Sequence, residues 1–320
     1  MSKKSKSFRE FLRSLSNKKG QQEHINIQEN NNKKKNSVDL PYEESIKLPK
    51  IEDKEEKKQH IVRSYSAWQT VGESVVGLAH RRGGTPVVCQ DAYCISNTQR
   101  IILVVCDGAG SSIMSEVGSS QLSQSVVRFI YSLEPIICDL LDFNNNPKFG
   151  NIFAQILYNY SIRLLQDIAL NNKRNIKDFK TTLLLVVTGI KNIFWLKVGD
   201  GEIVIEKDKE LECIGKLQKG EFSNETVFID ENLKVKDVQY GLLDIESISG
   251  IAVMSDGASE RIVSIDRKNI ADRLQKYLNM LKDSKLPREE LYKFLTNYED
   301  WKGSTHDDKT IVLAARKENI

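Results

Sequence analysis

The chain has 320 residues, 40% hydrophobic and 28% charged, and its 47 basic and 44 acidic side chains leave a formal net charge of +3. That length allows one large domain with a full core, or a domain plus a tail, and the charge balance excludes an electrostatic case for nucleic acid. There is no apolar stretch of the roughly 18 residues a spanning helix needs and no secretory-type apolar segment near the N-terminus, and five cysteines without Cys-x-x-Cys spacing fit a reducing cytoplasm.

Residues 1–64 differ from the rest. Asn30-Asn31-Asn32-Lys33-Lys34-Lys35-Asn36 is of low complexity, and Glu52-Asp53-Lys54-Glu55-Glu56-Lys57-Lys58 is a mixed-charge run. Such segments bury too little apolar surface to offset their ordering entropy. We read 1–64 as a disordered polar tail and 65–320 as one globular domain. Within the tail, Phe8, Phe11, Leu12 and Leu15 recur at helical spacing among Lys3, Lys4, Lys6, Arg9 and Arg13. A short basic amphipathic helix here suits weak contact with an anionic membrane or a partner, although an isolated helix of this length is marginal.

The globular part begins with strands predicted over 71–79, 92–96 and 101–106. A helix over 115–133 presents Val117, Leu122, Val126, Val127 and Ile130 on one face. A second, over 151–170, carries a stripe that includes Ile152, Phe153, Ile156, Leu157 and Leu164. Strands follow over 181–188, 193–198 and 202–207. The stretch 215–245 is weakly periodic and reads as a mobile flap. A strand over 248–255, helices over 267–281 and 287–298, and a strand over 309–315 complete the order. Helices falling in two pairs between blocks of strands imply an α+β fold in which helices cover the outer faces of a sheet-on-sheet core.

Three of these apolar runs end on Asp-Gly: Asp107-Gly108, Asp200-Gly201 and Asp256-Gly257. A fourth run starts just after Asp307-Asp308. In antiparallel sheets the end of one strand lies beside the start of its neighbour, so these carboxylates can meet at one edge. With a glycine carbonyl they would form an oxygen-donor site for Mg²⁺ or Mn²⁺. Asp-Gly is also a hairpin signal. The Gly-Ala-Gly-Ser-Ser that follows Asp107 is too long for a two-residue turn, however, and Asp256 leads into a helical pattern.

Gly84-Thr85-Pro86-Val87-Val88-Cys89-Gln90-Asp91-Ala92, Val105-Cys106-Asp107-Gly108-Ala109-Gly110, Thr181-Thr182-Leu183, Val198-Gly199-Asp200-Gly201, Ser255-Asp256-Gly257 and Asp307-Asp308-Lys309-Thr310 occur in this order. Together, over about residues 68–315, they resemble the motifs of the PPM-type (type 2C) metal-dependent protein serine/threonine phosphatases, in particular bacterial members. The resemblance implies a four-layer α-β-β-α sandwich of two antiparallel sheets flanked by helix pairs. It also implies a two-metal hydrolase of phosphoserine and phosphothreonine in proteins. Asp107 would bridge two Mg²⁺ or Mn²⁺ ions, the Gly108 carbonyl would reach one through water, Asp256 and Asp307 would hold the other, and Asp91 would orient the attacking water. The expected partner is a phosphoprotein substrate, met by a monomer in the cytoplasm, with no nucleic acid.

The family pattern is not followed everywhere. Gln90 stands where many members have a metal-binding Glu; its amide oxygen can ligate or hydrogen-bond a ligand water, without charge. The phosphate-binding Arg of the family is replaced by Pro86, which leaves His80, Arg81 and Arg82 as the nearest basic residues. His80 is also a candidate to protonate the leaving oxygen. We read Asp200 as structural and Asp178 as a surface residue, with a third metal at Asp178 the alternative. His306 enters a strand, unlike the ligands of all-helical His-Asp hydrolases. Cys94 and Arg100 match the Cys-x5-Arg spacing of cysteine phosphatases, but the residues between them include no glycine to cradle phosphate. Two rival functions stand beside hydrolysis: a phosphopeptide-binding pseudophosphatase with the same fold, and a tethered regulatory partner acting through its tail.

Overall fold

A computed structural model describes residues 68–80, 88–143, 147–216 and 226–316. All lie in one unit, Lys57–Ile320. The tail read over 1–64, with its basic amphipathic segment, lies outside the described residues, as do Arg81, Arg82, Gly83, Gly84 and Pro86.

The elements in chain order are β1 (Trp68–Val75), β2 (Ala92–Ser96), β3 (Ile102–Cys106), α1 (Ser115–Ser132), α2 (Glu134–Ile137), a π-helical turn (Cys138–Phe143) and α3 (Pro147–Asn171). Then come β4 (Leu183–Thr188), β5 (Asn192–Val198), β6 (Glu202–Lys207), β7 (Glu210–Ile214), β8 (Gln239–Asp244), β9 (Ile248–Met254), α4 (Asp256–Ser259), α5 (Asp272–Lys282), α6 (Arg288–Thr296) and β10 (Lys309–Arg316). Two five-stranded sheets result, ordered β1-β10-β9-β6-β7 and β2-β3-β4-β5-β8. Every strand pair is antiparallel.

Side-chain alternation explains the layers. In β3, Leu103 and Val105 enter the core between the sheets while Ile102, Val104 and Cys106 face the helices. β4 repeats this with Leu184 and Val186 against Leu183, Leu185 and Val187. β9 and β10 do the same in the other sheet, with Ile251, Val253, Val312 and Ala314 inside and Ala252, Met254, Ile311 and Leu313 outside. Strands buried on both faces read as unbroken apolar runs. α1 and α3 cover one sheet; α5, through Leu274, Tyr277, Leu278 and Leu281, and α6 cover the other. The four-layer α-β-β-α sandwich is the observed fold.

Some boundaries differ from the sequence reading. The strand predicted over 71–79 ends at Val75, because Gly77 and Ala79 turn away to bond Asp308 and the His306 carbonyl. The 215–245 stretch contains β8, which pairs with β5, and a 3-10 turn at Val235–Asp237. The edge strand β7 was not expected. The helix predicted from 267 starts at Asp272. Arg267 instead adopts φ 58° and sends its guanidinium to the Ile214 and Gly215 carbonyls and to Glu202.

The end of the second sheet away from Asp107 is closed by a buried arginine. Arg100 is fully buried, with Nη2 3.1 Å from Asp142, Nε 3.0 Å from Glu134 and Nη1 2.9 Å from the Thr188 carbonyl. Asp142 in turn accepts the Ile190 N–H at 2.8 Å. One cation thus joins the β2–β3 turn, the π-helical turn and the β4–β5 turn. Removing one partner of such a cluster strands a buried charge. Arg100→Met is therefore expected to lower unfolding free energy by about 3–5 kcal/mol in urea titrations. Activity per folded molecule should stay near wild type, because the cluster lies about 20 Å along β3 from Asp107.

Candidate metal centre

Each acidic loop is held by its neighbours' backbone. Asp107 follows β3: its N–H donates to Thr182 Oγ1 at 2.9 Å, and its carbonyl accepts the Thr182 N–H at 2.8 Å and the Thr181 hydroxyl at 2.9 Å. Asp256 opens α4 directly after β9. There the Ser255 N–H donates to the Thr310 carbonyl and the Thr310 N–H to Ser255 Oγ, both at 3.0 Å. That reciprocal pair ties the end of β9 to the start of β10, which Asp307 and Asp308 precede. Glu202 lies opposite Met254 in the β6–β9 ladder, and this brings the Asp200 turn beside Asp256.

Asp107, Gly108, Gly110, Asp200, Asp256, Asp307, Asp308 and Gln90 line one cavity of about 170 Å³, with Thr226 and Phe228 on a further wall. Glycine is needed at two points of close approach. A Cβ on Gly108 would stand 2.7 Å from the Gln90 carbonyl and 2.8 Å from Ser115 Cβ, and one on Gly77 would strike the Asp307 carbonyl. The Gln90 carbonyl accepts the Gly108 N–H at 3.2 Å and the Ser119 hydroxyl at 2.5 Å.

The cluster is electrostatically strained. Burial raises the Asp107 carboxyl well above its usual range, and negative Asp91 and Asp256 add to that. Asp256 is raised by burial and by Asp200 and Asp307, against a hydrogen bond with Asp107. Burial pushes Asp91 up to about 8; the Ser255 hydroxyl opposes this, and Asp308 and Asp256 reinforce it. Asp91 is 6% exposed, and its Oδ2 has no hydrogen-bond partner. Asp91 is not among the residues that line the cavity. Asp307 is the exposed member, its side chain 46% accessible.

His80 ends a short 3-10 turn, with Nε2 3.4 Å from Asp307 Oδ1 and Nδ1 3.1 Å from Asp308 Oδ1. Among the described residues, these three form a possible metal-holding group that includes a nitrogen. Asp308 itself is committed elsewhere, since its oxygens accept the N–H groups of Gly77 at 2.7 Å and Gln90 at 2.6 Å.

The structure therefore gathers Gln90, Asp107, Gly108, Asp256 and Asp307 at one cavity, with Asp91 and His80 against it. Arg81 lies outside the described residues. Asp200, read as structural, lines the cavity and accepts the Thr226 hydroxyl at 2.5 Å. Asp178 does not line it and stands 3.9 Å from Arg174. Sequence reasoning missed Asp308; its doubling of Asp307 was the only signal. Cys94 sits within β2 opposite Val104, and Arg100 is taken up by carboxylates, so no cysteine-phosphatase loop exists there. His306 adopts φ 61°, and its ring stacks on Tyr298.

The donor set fits hard divalent cations. It is all oxygen apart from His80, rich in carboxylates that burial and mutual repulsion disfavour without a counter-charge, and backed by an unpartnered Asp91 oxygen.

Residues 76–296 match the sequence model of a family described as Protein phosphatase 2C. No curated protein sequence matches the chain. Similar solved structures include a bacterial serine phosphatase, 16% identical, with TM-score 0.52 over 78% of this chain and 99% of that one. The serine/threonine phosphatase Stp1 from Staphylococcus aureus is 14% identical, with TM-score 0.52 over 78% and 95%. The catalytic domain of the serine threonine protein phosphatase PstP, in complex with 2 manganese ions, is 16% identical, with TM-score 0.50 over 78% and 99%. At such identities the structural likeness is one of fold, whereas the family match covers more than half of the chain. On that match, the chain belongs to the protein phosphatase 2C family of serine/threonine protein phosphatases.

Proposed function

We propose that this protein hydrolyses phosphoserine and phosphothreonine in proteins with Mg²⁺ or Mn²⁺. The observation that carries the reading is the convergence of Asp107, Asp200, Asp256 and Asp307 on one cavity. Asp107, Asp256 and Asp307, with the Gly108 carbonyl and Gln90, are the residues that would hold two cations. Bound there, divalent cations lower the pKa of water and neutralise charge on the transferring phosphoryl group. The PstP structure, with its 2 manganese ions, supports this choice of metal.

The chain's own residues supply the rest. Asp91 is buried with one free oxygen, and it orients the attacking water and takes its proton. His80 stands against Asp307 at the exposed side, where it protonates the departing serine or threonine oxygen. Arg81 and Arg82 directly follow His80 in sequence and supply charge for the phosphate. No protein side chain becomes covalently modified.

The test is turnover of p-nitrophenyl phosphate and of a phosphopeptide panel with Mn²⁺, abolished by a chelator. Manganese binding without turnover would point instead to a phosphopeptide-binding module. Asp107→Asn should lower kcat more than about a hundredfold at saturating Mn²⁺. Because it removes a repelled, half-buried carboxylate, it should also raise the melting temperature of the metal-free protein at pH 8. Activity retained above about one hundredth of wild type would sink the two-metal assignment.

Gln90→Glu adds a charged hard ligand, so calorimetric and kinetic Mn²⁺ midpoints should move to lower concentration; unchanged midpoints would remove position 90 from the metal site.

The metal-free protein should also lose stability as pH rises from about 4 to about 8. The folded Asp91 pKa is raised above its unfolded value of 3.8, so through this window the folded state binds more protons than the unfolded one. The slope of unfolding free energy against pH is then negative, and the effect is complete above about 8. Differential scanning calorimetry with chelator should show a lower melting temperature at pH 8 than at pH 5.5. Mn²⁺ should raise it more at pH 8.

A further inference from the structure

We propose that Asp308 is a positioning residue for the metal site, holding Gln90 in place through its peptide N–H rather than ligating a cation itself. The inference rests on the metal reading above. Asp308 is 2% exposed, and each of its oxygens is engaged: Oδ1 accepts the Gly77 N–H at 2.7 Å and Oδ2 the Gln90 N–H at 2.6 Å. His80 Nδ1 also lies 3.1 Å from Oδ1, without an aligned hydrogen bond.

The clamp is one half of a larger fixture. Gln90 is held by its N–H from the β10 side, through Asp308, and by its carbonyl from the β3 side, through the Gly108 N–H and the Ser119 hydroxyl. The two acidic loops belong to different sheets, so the Gln90 peptide is the pin between them. Its side chain faces the cavity, where Oε1 comes within 3.8 Å of the position a Cβ on Gly110 would take. A shift of this peptide would move the amide oxygen relative to Asp107 and Asp307 together.

A carboxylate is required for this task. Two N–H donors, of Gly77 and Gln90, are met, one by each oxygen of the carboxylate. An asparagine offers one acceptor and one NH₂, so one peptide donor would meet a donor, and a buried N–H would lose its partner. Outer partners that orient metal ligands typically change affinity by roughly 10- to 100-fold when altered.

The experiment is a double-mutant cycle read by Mn²⁺ calorimetry without substrate, on wild type, Asp308→Asn, Gln90→Ala and the double variant. Asp308→Asn should weaken Mn²⁺ binding about tenfold. Gln90→Ala should weaken it as well, and the double variant should be no weaker than the poorer single one. Additive losses in the double variant would overturn the proposal, since Asp308 would then act independently of Gln90. Loss in Asp308→Asn with unchanged binding in Gln90→Ala would also overturn it, leaving the metal reading intact. No Mn²⁺ binding by wild type would instead overturn the metal reading itself. Amide hydrogen exchange on the unaltered protein gives a check that needs no variant. The Gln90 amide should be strongly protected; exchange as fast as that of exposed Val88 would overturn the clamp.

Discussion

Mutual repulsion among buried carboxylates is the constraint on which this structure turns. Asp91, Asp107 and Asp256 are each pushed toward protonation by burial and by the charge of neighbouring aspartates. A flexible chain would relax such a cluster by moving its members apart. Here each acid is fixed at a strand end, and the strands are fixed by apolar cores on both faces of both sheets. The hydrophobic layers therefore do more than stabilise the fold: they hold a charge arrangement that is unfavourable until a cation enters.

Neutral donors do the local holding. Thr181 and Thr182 clamp the Asp107 peptide, Ser255 and Thr310 bond reciprocally, and the Gly108 N–H and Ser119 hydroxyl hold the Gln90 carbonyl. Backbone and hydroxyl groups suit this role because they fix geometry without neutralising the carboxylates that the site needs. The opposite end of the second sheet shows the alternative solution. There Asp142 and Glu134 are paired directly with Arg100. One end of the sheet spends its carboxylates on an internal cation and is structural. The other leaves them facing solvent and can act on a ligand.

This contrast also explains what was legible in the sequence. β3, β4, β9 and β10 lie between a core and a helix layer, so their apolar runs are unbroken and easy to read. Asp107, Asp256 and Asp307 could be placed because each flanks such a run. β7 and β8 are edge strands and only partly buried: the alternation of Glu210, Leu211, Glu212 and Cys213 is short, and Gly241 interrupts the period of β8. The start of α5 was misplaced because Arg267 is drawn off the helix by carbonyls from a distant hairpin, a tertiary contact that leaves no local pattern. Asp308 escaped for the same reason: its partners are peptide groups, which every residue carries.

The neutral residue at position 90 becomes intelligible once Asp200 is counted. Asp107, Asp200, Asp256, Asp307 and Asp308 line the cavity with a formal charge of −5, already more than the +4 of two divalent cations. Asp308 keeps its charge there although its oxygens accept peptide N–H groups. A glutamate at position 90 would add another buried negative charge to a cluster already raised by repulsion. An amide oxygen there retains a donor for metal or water and adds nothing to the repulsion that the metal-free protein must withstand. The cost is weaker attraction for the cation at that corner, and it falls on a residue whose backbone N–H and carbonyl are both braced. Bracing and neutrality belong together: a ligand that cannot rely on charge to draw the metal in must already be in position when the metal arrives.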